Sequence, residues 1–160
     1  LGAKVVIVNI HWGIEFAREP TAEQLALAAR LARSPAITAV VGEHAHVVQP
    51  IRRVGGRLVV FGQGNLIAYQ GHYADLAPES RDGIVSLLRI RVKTNGHAQL
   101  RRVDYVPVFV SEGDFTVLPV GRLLRQQGDA AAPALVTSWQ RTLGTVGRGR
   151  SYGPWRGARP

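Results

Sequence analysis

The feature that most constrains the fold is a nearly continuous run of apolar, mostly β-branched residues at positions 4–10. Such a run is typical of a strand buried on both faces in a parallel sheet. A helix is predicted next, because Thr21 can cap it and Gln24 can complete a capping box. Residues 34–35 end that helix, and an apolar strand follows at 37–41. The order strand, helix, strand predicts a right-handed βαβ unit.

The second half of the chain predicts antiparallel strands. Residues 51–61 read as two strands joined by a Gly-Gly turn. Residues 83–92 and 99–110 flank Asn95 and Gly96, and an Asn-Gly pair between alternating runs is a strong hairpin signal. The polar positions of this hairpin are interpreted as its solvated face. The fold class is therefore α/β, with a βαβ unit followed by antiparallel strands.

The domain organisation follows from the same patterns. We expect residues 1–120 to form one folded unit, with a short edge strand at 115–119 as its last element. Residues 121–144 form a helical extension, because an apolar face recurs within 133–143. Residues 145–160, rich in Gly, Arg and Pro, predict a disordered tail. The chain opens without Met directly before a core-type strand, so we expect it to be a segment of a longer protein.

The charge of the chain limits the classes of partner. The formal net charge is +9, with 13 Lys and Arg against 10 Asp and Glu in residues 1–120 and 7 against 1 in residues 121–160. Because the excess lies in a Gly- and Pro-rich tail, nucleic-acid binding is not predicted. The chain has no cysteine, which excludes disulfides, thiol nucleophiles and thiolate metal sites.

Histidines follow both strands of the predicted βαβ unit. His11 comes directly after the first strand, and His44 and His46 come directly after the second. Because parallel strands present their carboxyl ends at one edge of a sheet, we expect these three side chains to converge there. Two readings stay open at this stage: part of a divalent-metal site, or hydrogen-bonded loop histidines. His72 and His97 are interpreted as solvated loop and turn residues.

Three ordered blocks, at residues 8–16, 41–50 and 60–67, resemble the bacterial capsule-synthesis (poly-γ-glutamate biosynthesis, CapA-type) family. They carry, in turn, a His-Trp-Gly-x-Glu motif, a Gly-x-His-x-His motif and a Gly-Asn pair. That family is similar in fold to the calcineurin-like metallophosphoesterases. The resemblance implies that residues 1–120 are the C-terminal half of a metallophosphoesterase-like α/β sandwich.

The resemblance also implies roles for particular residues. It assigns metal binding to His11, His44 and His46, with Mn, Fe or Zn as the divalent ion. It assigns catalytic contributions to His11, Glu15 and Asn65, and contacts to substrate or to groups around the metal to Gln49 and Asn65. Glu43 stands where the family commonly has a second histidine. It is either a carboxylate ligand to the metal or a substitution at a solvent-exposed position.

Two functions of different class remain open under this resemblance. The first is a metal-dependent hydrolase that acts on a surface polymer in the intact parent protein. The second is a non-catalytic accessory protein of capsule assembly and export. The family's upstream blocks, an early Asp, an Asn-x-Glu and an Asn-His pair, have no counterpart here, so the chain alone is predicted to be inactive. The implied partners are an anionic surface polymer or its precursor, the missing N-terminal part of the domain and capsule-assembly membrane proteins, at the cell envelope.

Overall fold

The structure is a computed structural model that describes residues 2–68, 78–111, 113–158 and 160. Its strands are β1 (Ile7–His11), β2 (Ala39–Glu43), β3 (Ile51–Val54), β4 (Arg57–Val60), β5 (Asp82–Val92), β6 (Ala98–Val110), β7 (Val117–Pro119) and β8 (Tyr152–Pro154). Its α-helices are α1 (Ala22–Arg33), α2 (Val120–Gln127) and α3 (Pro133–Val146). His72 and most of the loop predicted at residues 68–82 lie outside the described residues.

The first sheet contains the predicted βαβ unit. Its strand order is β1-β2-β4-β3, with β1, β2 and β4 parallel and β3 antiparallel to β4. Helix α1 connects β1 to β2 and begins with the predicted capping box. The Gln24 backbone N–H donates to Thr21 Oγ1 at 3.2 Å, and the Thr21 backbone N–H donates to Gln24 Oε1 at 2.9 Å. The α/β class and the βαβ unit are confirmed.

Strand β1 differs from its prediction in one respect. It is the edge strand of the first sheet and pairs with β2 alone among the described strands. Ile7 is consequently 46% exposed, although the run was expected to be buried on both faces. An apolar run specifies a strand, but neighbouring strands decide how deeply it is buried.

The second sheet is built on the predicted hairpin. β5 and β6 pair antiparallel around a turn in which Gly96 has φ +81°, and β7 pairs with β6 as the expected edge strand. The register between β5 and β6 shifts at Arg89/Ile90, which marks a β-bulge. Strand β8 adds to β6 in parallel orientation.

The two sheets pack face to face and are flanked by helices. A core between the sheets joins Val41 and Ile51 to Val103 and Tyr105. A second cluster lies between the first sheet and α1, where Ala28 is fully buried. A third cluster packs α2 and α3 against β6. The arrangement is a layered α/β sandwich with the βαβ strand ends at one edge.

The C-terminal segment corrects the predicted disordered tail at residues 145–160. Helix α3 continues to Val146, and Tyr152 packs against the core between the sheets. The Trp155 backbone N–H donates to the Tyr105 carbonyl at 2.8 Å, which ties the segment to β6. Composition does not predict this order, because the packing of Tyr152 and the pairing of β8 with β6 are contacts with residues distant in sequence. The predicted helical extension at residues 121–144 contains two helices, α2 and α3, and the sequence analysis did not distinguish α2 as a separate helix.

Within the described part of the chain, no helix has the length and apolar character needed to span a membrane.

Candidate functional site

The three predicted histidines lie together at the carboxyl ends of β1 and β2. His11 is the last residue of β1 and stands opposite Glu43, the last residue of β2. The ring centroids of His11 and His44 are 4.2 Å apart, and those of His44 and His46 are 6.3 Å apart. We call His11, His44 and His46, together with Glu15 and Glu43, the histidine rim.

The backbone of the histidine rim is unusual. His44 has φ +99° and His46 has φ +55°, and Phe16, whose backbone N–H donates to the Ala45 carbonyl at 2.7 Å, has φ +62°. Non-glycine residues rarely adopt positive φ, and each instance costs free energy that the surrounding structure must supply. Three of the four such residues in the described part of the chain therefore lie at this one place.

Trp12 and Gly42 form the floor of the rim. The Trp12 indole N–H donates to the Phe61 carbonyl at 2.8 Å, and the two rings stack with centroids 5.5 Å apart. A Cβ at Gly42 would collide with that carbonyl and with the indole nitrogen. Only glycine fits between β1 and β4 here, which explains why Trp12 and Gly42 occur in two of the sequence blocks.

Asn65 fixes the protonation pattern of His46. The Asn65 Nδ2 group donates to the Ser80 carbonyl at 2.7 Å, so Oδ1 faces the His46 Nδ1 atom at 2.8 Å. Because a carbonyl oxygen only accepts, the Nδ1 atom carries the proton. Neutral His46 then has its lone pair on Nε2. This is the pattern of a metal-bound histidine, whose second nitrogen donates to a fixed acceptor.

Two carboxylates face the imidazoles from the solvent side. Glu15 Oε1 lies 3.9 Å from His46 Nε2, and Glu43 Oε1 lies 3.8 Å from His11 Nδ1. The side chains of His11 and Glu43 are more than 60% exposed, whereas that of His46 is 30% exposed. The rim therefore has an open outer part at His11 and an inner part at His46.

Gln49 does not lie where a substrate could reach it. Its side chain is fully buried, where it accepts a hydrogen bond from Gln24 Nε2 at 3.0 Å and donates to the Ala17 carbonyl at 2.8 Å. Gln49 ties the loop after β2 to the start of α1, and of its two predicted roles the contact with groups around the metal stays a prediction. Asn65 is 5% exposed and likewise acts behind the rim, where it orients His46.

The rim has a further support that sequence reasoning missed. The Asn65 backbone N–H donates to the Asp82 carbonyl at 3.1 Å, and Gly64, at φ +70°, allows the two segments to approach. The buried Asp82 carboxylate accepts from Arg141 of α3 at 2.5 and 2.9 Å. Burial raises the pKa of Asp82, although the hydrogen bonds from Arg141 oppose that effect. A chain of contacts thus runs from α3 through Asp82 and Asn65 to His46.

The side chains of the rim have the donor atoms that a divalent metal ion uses in proteins. Imidazole and carboxylate groups suit Zn, Fe and Mn, and His46 carries the second-nitrogen hydrogen bond that such ligands show. Across the described ranges, however, no group of three or more His, Asp or Glu side chains is placed so that it could hold an ion by itself. The described residues of the rim therefore do not make up a complete metal site by themselves.

The fold and the rim define an α/β sandwich with an imidazole-rich edge at its parallel strand ends. Residues 1–70 match the model of the family described as bacterial capsule synthesis protein PGA_cap. The chain is 30% identical over 110 residues to the PGA biosynthesis protein CapA of Bacillus subtilis (strain 168) and 32% identical over 111 residues to the capsule biosynthesis protein CapA of Bacillus anthracis. The chain therefore belongs to the bacterial capsule-synthesis family of CapA type.

The match covers this chain and its relatives unequally. Each alignment spans 69% of the chain but only 26% of the B. subtilis protein and 24% of the B. anthracis protein. The chain thus spans about a quarter of the length of the curated relatives it matches. The match identifies the family and does not by itself assign the activity of a whole CapA protein to this chain.

Proposed function

We propose that the protein that carries this chain acts in the biosynthesis of a capsule or poly-γ-glutamate-type surface polymer as a metal-dependent hydrolase of the metallophosphoesterase kind. The names of the two CapA relatives support the biosynthetic role. The observation that carries the hydrolase assignment is the fixed tautomer of His46, which leaves the Nε2 lone pair at an edge shared with His11 and His44.

His11, His44 and His46 are the residues that would hold the divalent ion. When bound, such an ion lowers the pKa of a coordinated water and neutralises developing charge on a phosphoryl or acyl oxygen. Asn65 holds the ring of His46 in place, and Trp12 and Gly42 fix the strand ends beneath the rim. The strained backbone at His44 and His46 directs both rings to the same edge.

Glu15 is the residue of this chain best placed to exchange a proton at the rim. Its carboxylate is 53% exposed and faces His46 Nε2 at 3.9 Å. A carboxylate in this position can accept a proton from a water bound near the imidazoles or orient that water. Glu43 holds the equivalent position beside His11, at 3.8 Å.

The partners follow from the same proposal. The substrate is an anionic surface polymer or its precursor, and the remaining metal ligands come from the N-terminal part of the same domain in the intact protein. We place the protein at the cell envelope, in contact with membrane proteins of capsule assembly.

A second function, a non-catalytic accessory role in polymer assembly and export, is favoured by one observation. The described residues do not supply three ligands arranged around one point. In that case the same edge binds polymer or stabilises the fold without turnover.

Hydrolysis by the intact parent protein separates the two functions. We expect the purified parent to contain a divalent metal and to hydrolyse a phosphoester or a polymer amide, and we expect a chelator to abolish the activity. His46→Ala should lower the rate by at least about 100-fold, since loss of a ligand disrupts the site. His97→Ala is the matched control, because His97 lies in the exposed β5–β6 turn.

A parent protein that binds polymer but contains no metal and shows no hydrolysis would replace the hydrolase by the accessory role. A metal-containing parent whose hydrolysis survives His46→Ala would contradict the assignment of the rim.

A further inference from the structure

Two arginines face each other across the β5–β6 hairpin, away from the histidine rim. Arg89 and Arg102 are direct register partners, and like charges placed opposite each other destabilise a sheet. The register shifts next to this pair, because Ile90 pairs with Leu100 and Arg101 of β6 is left as the extra residue of a β-bulge. Bulges re-aim side chains and occur often beside functional sites. Arg89 lies seven residues along β5 from Asp82, about 20 Å from the support of the rim.

A buried carboxylate orients both guanidinium groups. Asp104 is 3% exposed and accepts from the Nε atoms of Arg89 and Arg102, each at 2.6 Å. Burial opposes ionisation of Asp104, but these two hydrogen bonds outweigh that effect and hold its pKa below the usual range. Each arginine therefore has one edge engaged by Asp104.

The terminal nitrogens of these arginines are largely unused within the protein. Those of Arg89, whose side chain is 62% exposed, make no hydrogen bond to the described residues, and Arg102 Nη1 donates to the Arg150 carbonyl at 3.3 Å. Trp155, 42% exposed, and Arg156 complete a cleft of about 430 Å³ with the two arginines and Asp104. We call these five residues the arginine cleft. Its side chains carry three positive charges against one negative charge.

We propose that the arginine cleft binds carboxylate groups of an acidic oligomer, as a site separate from the histidine rim. A guanidinium fork pairs with a planar carboxylate through two parallel hydrogen bonds, and Asp104 already makes charge-assisted bonds of this chemistry with the same two arginines. The exposed indole of Trp155 offers an apolar surface to the carbon chain between successive carboxylates. The basic excess of residues 121–160 is thus partly displayed on a folded surface, at Arg156.

Binding of poly-γ-glutamate fragments to the 160-residue chain tests this site. We expect Arg89→Gln to weaken binding about tenfold through loss of a charge-assisted contact. Arg89→Lys, which keeps the charge but removes the fork, should also weaken it. Arg101→Gln is the matched control, because Arg101 is an exposed neighbour on β6 that bonds only Gln99 among the described residues. Trp155→Leu should weaken binding without changing the net charge.

Several results would overturn the proposal. Equal weakening by Arg89→Gln and Arg101→Gln would mean that only overall charge matters. Tighter binding of a single-stranded oligonucleotide of equal charge would assign the cleft to phosphate and to nucleic acid instead. Absence of binding to a chain whose thermal unfolding is normal would remove the site altogether. None of these three results depends on metal or on hydrolysis, so this proposal and the proposed function can fail separately.

Discussion

The histidine rim and the arginine cleft are ordered by different means. The rim lies at the ends of two parallel strands and on the loops that follow them, where His44 and His46 adopt strained backbone conformations and the ring of His46 is held by a neutral hydrogen bond with Asn65. The cleft lies mainly on two paired strands, and one buried carboxylate within it aligns both arginines. The rim therefore depends on distant supports, whereas the arginines of the cleft are aligned by a neighbour on the same hairpin.

The supports of the rim come from the second sheet and α3. Asn65 is held by the backbone of Ser80 and Asp82, and Asp82 is held by Arg141. Because α3 lies outside the 70 residues that match the family model, a segment beyond that match helps to position the part that carries the histidines. This difference predicts that substitutions of Arg141 or Asp82 disturb the rim and leave the cleft unchanged.

The largest effect is expected when Arg141 is replaced. Arg141→Gln leaves the Asp82 carboxylate buried without its cation, which costs about 3 kcal/mol of unfolding free energy at about pH 7. Burial already raises the pKa of Asp82, so the variant should lose less stability near pH 4, where the carboxyl takes up a proton. Denaturant unfolding at both pH values measures the effect.

The control for that experiment is Arg122→Gln on α2, an exposed arginine that should change stability by less than about 0.5 kcal/mol. Equal losses in the two variants would show that the Arg141–Asp82 pair does not stabilise the fold.

A smaller effect is expected from Asn65→Ala. The change leaves the Ser80 carbonyl and His46 Nδ1 without their shared partner, which costs about 1–2 kcal/mol. The proton of neutral His46 should then no longer be confined to Nδ1, and nitrogen-15 spectra of the histidine ring report this. Asn9→Ala, at an exposed position of β1, is the matched control. An unchanged His46 spectrum in Asn65→Ala would contradict the support that we describe.

The smallest effect is expected at the cleft. Asp104→Asn removes a charge whose partners are partly exposed, so solvent screening limits the loss to about 1 kcal/mol at about pH 7. The pKa of Asp104 is lowered in the folded state, so its contribution is present above about pH 4 and is lost as the pH falls further. The stabilities of wild type and variant should therefore converge in acid, as measured by denaturant unfolding. A constant difference across this range would contradict the charge-based explanation.

The parts of the molecule that sequence reasoning predicted are those set by local patterns. The βαβ unit followed from apolar runs and the Thr21 cap, and the hairpin followed from Asn95-Gly96. The convergence of His11 with His44 followed from a general rule of parallel sheets. These features depend on residues close in sequence or on strand direction alone.

The parts that escaped prediction depend on contacts between distant residues. Arg141 and Asp82 are separated by 59 positions, and neither has a neighbouring motif that marks it as a partner. The pairing of β8 with β6 and the burial of Gln49 are of the same kind. The sequence shows only an Asp at the start of an apolar strand and an Arg on an amphipathic helix. Many other pairs of acidic and basic residues fit the same description.

The most direct test of the proposed metal site, in which Asn65-supported histidines bind a divalent ion, is a Zn²⁺ titration of the intact parent protein followed by histidine nitrogen-15 spectra. We expect His46 Nε2, His11 and His44 to respond together, and we expect Asn65→Ala to weaken the response about tenfold or more. His97, in the exposed turn, serves as the internal reference. A response of His97 equal to that of His46, or no response of His46 at excess metal, would contradict the claim.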